Sequence, residues 1–142
     1  MDTKRVAGFR VVANHAYNPS MHCLVLQAEE PLLPLRPGQF VNVAIPGNRE
    51  LFLRRPFSVF DADPGNRTLT LLFKVLGRGS LTLTKVVPGE LLSLVYPLGR
   101  GFTMPAAGEK VLAIGGGSGV APVVCLAEGD RQQFWPPVGW FC

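Results

Sequence analysis

Three short stretches hold residue types that could do chemistry together. Arg55-Pro56-Phe57-Ser58 places a fixed cation, a ring and a hydroxyl in one apolar run. A guanidinium grips a phosphate through two parallel hydrogen bonds, a geometry that an ammonium group does not offer. On a strand, Phe57 shares a face with Arg55 and can pack on a flat ring. Ser58 points to the opposite face, where its hydroxyl or backbone N–H can meet a ring's polar rim. The second stretch is FKVLGRGS, at 73–80. Gly77 and Gly79 let the backbone approach a ligand, and Ser80 suits the N-cap of a helix running to Val87, whose first N–H groups are a ready phosphate site. The third, GGGSGVAP at 115–122, follows an apolar run and precedes a helical one, the strand–turn–helix context of a dinucleotide loop. Its match to G-x-G-x-x-G is incomplete, because position 120 is valine. A solvated strand end or a simple turn explains any one of these stretches. Their succession on one chain points to a nucleotide with phosphates.

The elements that must position these residues are mostly strands. Glycine (16) and proline (13) are spread between short apolar runs in a chain of 142 residues, which favours turns between strands. Runs at 6–14 and 21–28 are β-prone and are joined by an Asn-Pro-Ser turn. Pro37-Gly38 leads into a strand carrying Phe40, Val41, Val43 and Ile45, and Pro56 opens a strand over 57–60. DADPGNR is a hairpin connection, 68–76 returns as a strand, and VPGE turns into a last strand over 91–96. One helix is predicted, over 80–87. About six short strands separated by Pro/Gly turns predict a mainly β fold, an antiparallel barrel or sandwich.

At Gly108 the pattern changes to an apolar strand over 111–114, a glycine turn and a helix with Pro122 in its first turn. The chain therefore divides into a β domain over 1–107, the opening strand and helix of an α/β nucleotide-binding domain over 108–128, and a tail over 129–142 without helical or strand period. One strand and one helix cannot bury both faces, so the second domain is expected to be incomplete, as in a truncated or frame-shifted product.

A hydrophobic fraction of 47% with 17% charged residues predicts a packed core, not disorder. The net charge of +4 comes without a basic run, which argues against nucleic acid. Cys23, Cys125 and Cys142 show no metal or redox spacing and read as apolar or terminal thiols. His15 and His22 lie outside every motif and read as surface or turn residues. With no apolar leader and no membrane-spanning stretch, a reducing cytoplasm is expected.

In this order, PGQFVNV, LRRPFSV, FKVLGRGS, PGELLSLVYPLGRGF and AIGGGSGVAPV resemble the ferredoxin–NADP reductase superfamily. More narrowly, they resemble the electron-transfer subunit of NAD-dependent dihydroorotate dehydrogenase, over roughly 6–128. The resemblance implies a six-stranded antiparallel Greek-key barrel that carries FAD. It puts Arg55, Pro56, Phe57 and Ser58 on the flavin and its pyrophosphate, and Leu72, Phe73 and Lys74 along the adenine side. Gly79 and Ser80 would donate backbone N–H groups to the phosphates, while Gly116, Gly117 and Gly119 would serve NAD. Arg54 is taken as a solvated neighbour. The implied relay runs from dihydroorotate, oxidised on an FMN-containing catalytic subunit in a heterotetramer, through a [2Fe–2S] cluster to FAD and on to NAD, in pyrimidine biosynthesis. Such a cluster needs four thiolates. Nothing in this sequence matches that cysteine segment, so no metal ligand is assigned, and the chain reads as an electron-transfer subunit more than as a self-sufficient enzyme. Two other readings stand beside it: an NAD(P)H-dependent flavin reductase serving ferredoxin or a sulfur acceptor, and a non-catalytic β-barrel interaction module.

Overall fold

A computed structural model of the chain describes residues 3–129. Alternating apolar residues produce six strands: β1 (Arg5–Asn18), β2 (Met21–Ala28), β3 (Phe40–Val43), β4 (Arg55–Asp63), β5 (Thr68–Lys74) and β6 (Leu91–Leu98). They close into an antiparallel barrel in the order β1-β2-β5-β4-β3-β6. β3, β4 and β5 are consecutive neighbours and β2 lies beside β5, which is a Greek key. β1 runs past the predicted end at 14 because residues 15–18 still pair with β2. The hairpin closes where the Asn18 Oδ1 accepts the N–H groups of Ser20 and Met21, each at 2.9 Å.

Period-two burial shows which face is inside. Leu69, Leu71 and Phe73 are buried on β5, whereas Thr68, Thr70 and Leu72 between them are only partly covered. Val41 and Val43 do the same on β3. Each large side chain fully withdrawn from water contributes about 1.5–3 kcal/mol to folding. The buried Tyr96 keeps its hydroxyl satisfied, accepting from Arg5 Nη2 at 3.0 Å and from the Leu33 N–H at 3.2 Å. Gln39, also buried, accepts the Arg36 N–H at 2.8 Å and donates to the Gly99 carbonyl at 3.1 Å, tying the Pro37-Gly38 turn to the chain leaving β6. Gly38 has φ of +93°, a conformation that explains glycine there.

The predicted helix at 80–87 is instead α1 (Arg78–Leu83). Its N-cap is Gly77, and Ser80 sits at the third helical position, with its Oγ accepting the N–H groups of Leu76 at 2.9 Å and Gly77 at 3.1 Å. The hydroxyl reaches back as a capping-box side chain does, which moves the start upstream. The end tightens into three-residue bonds from Lys85 to Thr82 and from Val86 to Leu83, before the Pro88-Gly89 turn.

The strand predicted over 111–114 does not form. Leu112 and Ile114 are 85% and 83% exposed. A strand needs a ladder partner, and every edge of the closed barrel is already paired. The helix predicted after it does form, as α2 (Val120–Gly129), and it packs against β4. Ala121 and Cys125 are buried in that contact. Burial, with the charge of Asp61 as the smaller cause, pushes the Cys125 thiol up to about 11. A thiol raised in the folded state contributes stability that is complete below its unfolded value near 9 and is lost as pH rises through about 11. Iodoacetamide is therefore expected to leave Cys125 nearly unmodified at pH 8, with labelling, followed by peptide mass spectrometry, rising steeply between pH 9 and pH 11. Rapid labelling at pH 8 would mean that α2 is not docked on β4. Cys142 and the rest of the predicted tail from residue 130 lie outside the described residues.

Candidate functional site

The first two motifs meet at the rim of the barrel. β4 begins at Arg55, paired opposite Val43, and brings Phe57 opposite Val41. β5 ends at Lys74 and leads through Leu76 and Gly77 into α1. Between them lies a cleft of about 510 Å³, lined by Arg55, Pro56, Phe57, Lys74, Gly79 and Ser80 together with Leu51, Leu76, Gly77 and Arg78. Phe57 packs on Phe73, with ring centroids 5.2 Å apart and planes at 57°. Phe73 is buried and supports Phe57 from behind, without lining the cleft.

The structure does not bring every candidate together. Ser58 sits opposite Phe40, on the face of β4 away from Phe57, and does not line the cleft. Leu72, opposite Cys23, lies on the other face of β5 from Phe73 and is likewise outside it. Gly116, Gly117 and Gly119 lie in an exposed turn just before α2, with Gly117 at φ +57°. Arg54 is not a solvated neighbour. It donates from Nη1 to the Ser93 carbonyl at 2.8 Å and from Nη2 to the Ser93 hydroxyl at 2.9 Å, clamping the start of β4 to β6.

Arg55 is held in a way that leaves most of its guanidinium available. Its Nη1 donates to the Leu53 carbonyl at 2.7 Å, and no carboxylate among the described residues forms an ion pair with it. Its stem lies across Gly79: a Cβ at that position would meet Arg55 Cγ at 3.1 Å and Nε at 3.2 Å. The glycine between Arg78 and Ser80 thus gives Arg55 its path to the cleft. The N–H groups of Arg78, Gly79 and Ser80, in the first turn of α1, have no acceptor within the helix. The cleft wall therefore carries three cationic side chains (Arg55, Lys74 and Arg78, the last paired with Glu50), backbone donors, and an apolar floor at Phe57. Among the described residues no carboxylate lines it. These groups suit a ligand with phosphates and a flat apolar ring.

α1 owes its place to residues remote in sequence. Leu83 is fully buried in the core, and the Asn14 side chain on β1 donates to the carbonyls of Leu83 (3.1 Å), Thr84 (3.1 Å) and Val86 (2.9 Å). With its amide turned to those carbonyls, Asn14 presents Oδ1 to His22 Nδ1 at 3.3 Å, and the His22 ring stacks on Phe73. His22 thus belongs to the support of the site, contrary to its reading as an ordinary turn residue. Asn14→Ala is expected to cost about 1–3 kcal/mol in urea unfolding and to speed amide exchange over 81–86, because three helix-end carbonyls lose their donor. Asn14→Asp, which turns a carboxylate toward those carbonyls, should cost more. Equal stability of both variants with the parent would remove Asn14 as the anchor of α1.

No protein-family model matches the chain. Among curated proteins it is 36% identical to the dihydroorotate dehydrogenase B (NAD(+)) electron transfer subunit of Desulforamulus reducens, over 87% of this chain and 47% of that one. It is 38% identical to the protein of the same name from Enterococcus faecalis, over 83% of this chain and 45% of that one. In sequence, this chain is a relative of the dihydroorotate dehydrogenase B electron-transfer subunits. It spans about half the length of the subunits it matches. Its barrel has the fold of one part of two solved reductases. The ferredoxin reductase of carbazole 1,9a-dioxygenase superposes with a TM-score of 0.78 at 25% identity, over 92% of this chain and 40% of that one. The Amycolatopsis cytochrome P450 reductase gives 0.77 at 25% identity, over 91% and 40%.

An iron–sulfur centre does not fit what is described. No group of three or more His, Cys, Asp or Glu residues among the described residues could hold a metal ion, and Cys23 and Cys125 are separate buried thiols. Among these residues, too, no helix is long and apolar enough to cross a membrane.

Proposed function

We propose that this chain holds FAD in the cleft at the barrel rim and carries electrons through it, as the flavin-bearing part of a dihydroorotate dehydrogenase electron-transfer subunit. The convergence of Arg55, Phe57, Lys74, Gly79 and Ser80 on one cleft carries this reading. Arg55 would hold the diphosphate through its fork of donors, and the N–H groups of Gly79 and Ser80 would add donors beside it. Phe57, backed by Phe73, gives the cofactor an apolar surface, and Pro56 shapes the wall beside it. Lys74, on the cleft wall, would face the adenine side, whereas Leu72 and Ser58, which lie outside the cleft, are given no contact with the cofactor. When bound, FAD supplies the electron-accepting and electron-donating chemistry; the chain supplies binding and orientation.

The printed names of the relatives, electron transfer subunits of an NAD(+)-linked dihydroorotate dehydrogenase, extend the proposal to NAD as acceptor and to a catalytic subunit as donor. The motif resemblance alone adds Gly116, Gly117 and Gly119 on NAD, and FMN and a heterotetramer for the partner. No transfer through a [2Fe–2S] cluster is assigned to these residues. A second reading, an NAD(P)H-dependent flavin reductase serving another acceptor, is favoured by the two reductases that share the fold.

Titration of the folded chain with FAD and with riboflavin, followed by flavin fluorescence, tests the site. FAD should bind at least about tenfold more tightly, since riboflavin lacks the diphosphate that the cations hold. Failure of both to bind would leave the non-catalytic module as the reading of the barrel.

A further inference from the structure

Arg78 stands on the cleft wall, yet its guanidinium is engaged elsewhere. Nη2 lies 2.8 Å from Oε2 of Glu50, which belongs to the short 3₁₀ turn Arg49–Leu51. Leu51, next to Glu50, and Arg78 both line the cleft, so the ion pair joins that turn to α1 beside the cleft. Both side chains are mostly exposed, at 67% for Arg78 and 74% for Glu50. A pair this wet contributes little to folding and is readily exchanged for a better partner. Asn48 caps the same turn by accepting the Glu50 N–H at 2.9 Å, so the turn does not depend on the Glu50 side chain.

A diphosphate is a better partner. It offers more acceptor oxygens than a carboxylate, and the cleft already presents Arg55 and Lys74 toward an anion. We propose that Arg78 is a further phosphate-binding residue of this cleft, and that Glu50 is its competing ligand, released when the diphosphate of the dinucleotide arrives. Glu50 then sets the affinity: each binding event breaks the Arg78–Glu50 pair and places the anion near a freed carboxylate. The inference rests on the flavin-dinucleotide reading of the cleft and adds to it a residue pair that governs how tightly the cofactor is held.

The test uses the full chain and fluorescence titration with FAD, with riboflavin as the phosphate-free control. Glu50→Gln should tighten FAD about three- to fivefold, and Arg78→Gln should weaken it by a similar factor. In the Arg78→Gln background, Glu50→Gln should change FAD affinity by less than about twofold, because the exchange partner is gone. Riboflavin affinity should be unchanged throughout. Unchanged or weaker FAD binding by Glu50→Gln overturns the exchange while leaving the flavin site standing, since the parent chain still binds. Equal tightening in both backgrounds also overturns it, because Glu50 then acts by plain repulsion. If the parent chain binds no FAD, the flavin reading falls first and this inference falls with it.

Discussion

Arg55→Ala lowers the affinity for FAD by about 10- to 100-fold while leaving the barrel intact. Charge-assisted hydrogen bonds are worth about 1.5–3 kcal/mol, and 1.4 kcal/mol is a factor of about ten. The structural cost is small, since the folded chain gives Arg55 one hydrogen bond, to an exposed loop carbonyl, and no ion pair among the described residues. Arg55→Lys keeps the charge but not the two-pronged geometry, and should recover only part of the loss. Titration with FAD beside a thermal melt separates binding from folding. An alanine variant that melts like the parent and binds within twofold of it would remove Arg55 from the site.

The largest loss of stability is expected inside the barrel. Leu71 is fully buried on β5, opposite Leu24 of β2 on one side and Val59 of β4 on the other. Truncating it to alanine removes apolar contact and leaves a cavity that these strands cannot close, at a cost of about 2–5 kcal/mol. Leu72→Ala, one residue on and facing outward, should cost clearly less. Leu71 does not line the cleft, so under conditions where the variant is folded its FAD affinity should match that of the parent. Urea unfolding of the two variants checks the register: equal losses would mean that the alternate residues of β5 are not divided between core and outside.

Much of the barrel was legible because its signals are local. The Asn-Pro-Ser, Pro37-Gly38, DADPGNR and VPGE turns each stand beside a run with period two and each separates the elements expected, although β1 runs on through 18 and β4 through 63, past the predicted ends at 14 and 60. The motif residues Arg55, Phe57, Gly79 and Ser80 were legible for the same reason, their spacing being set by one strand and one loop. What was not legible depends on separation in sequence. Asn14 holds the end of α1 across 69 or more positions, and no local pattern marks it. Arg54 looked wet because its partner, Ser93, lies on another strand. Leu51 reaches the cleft, and Glu50 meets Arg78 beside it, only because β3 and β4 bring their connecting turn to the barrel rim. Arg78, by contrast, could have been suspected from GRGS itself, where a cation stands between two glycines already assigned to a phosphate loop. The apolar run at 111–114 misled because strand propensity supplies no ladder partner, and a closed barrel has no edge to lend.

The most direct measurement is a two-dimensional amide NMR titration of the isotope-labelled chain with FAD. Saturable shifts are expected at Arg55, Phe57, Lys74, Gly77, Gly79 and Ser80, with Arg78 responding alongside them and the open end of the β1–β2 hairpin, where Phe9 pairs with Ala28, silent. A folded chain with no shifts, or with shifts centred away from that cleft, would contradict the claim that the barrel rim is the flavin site.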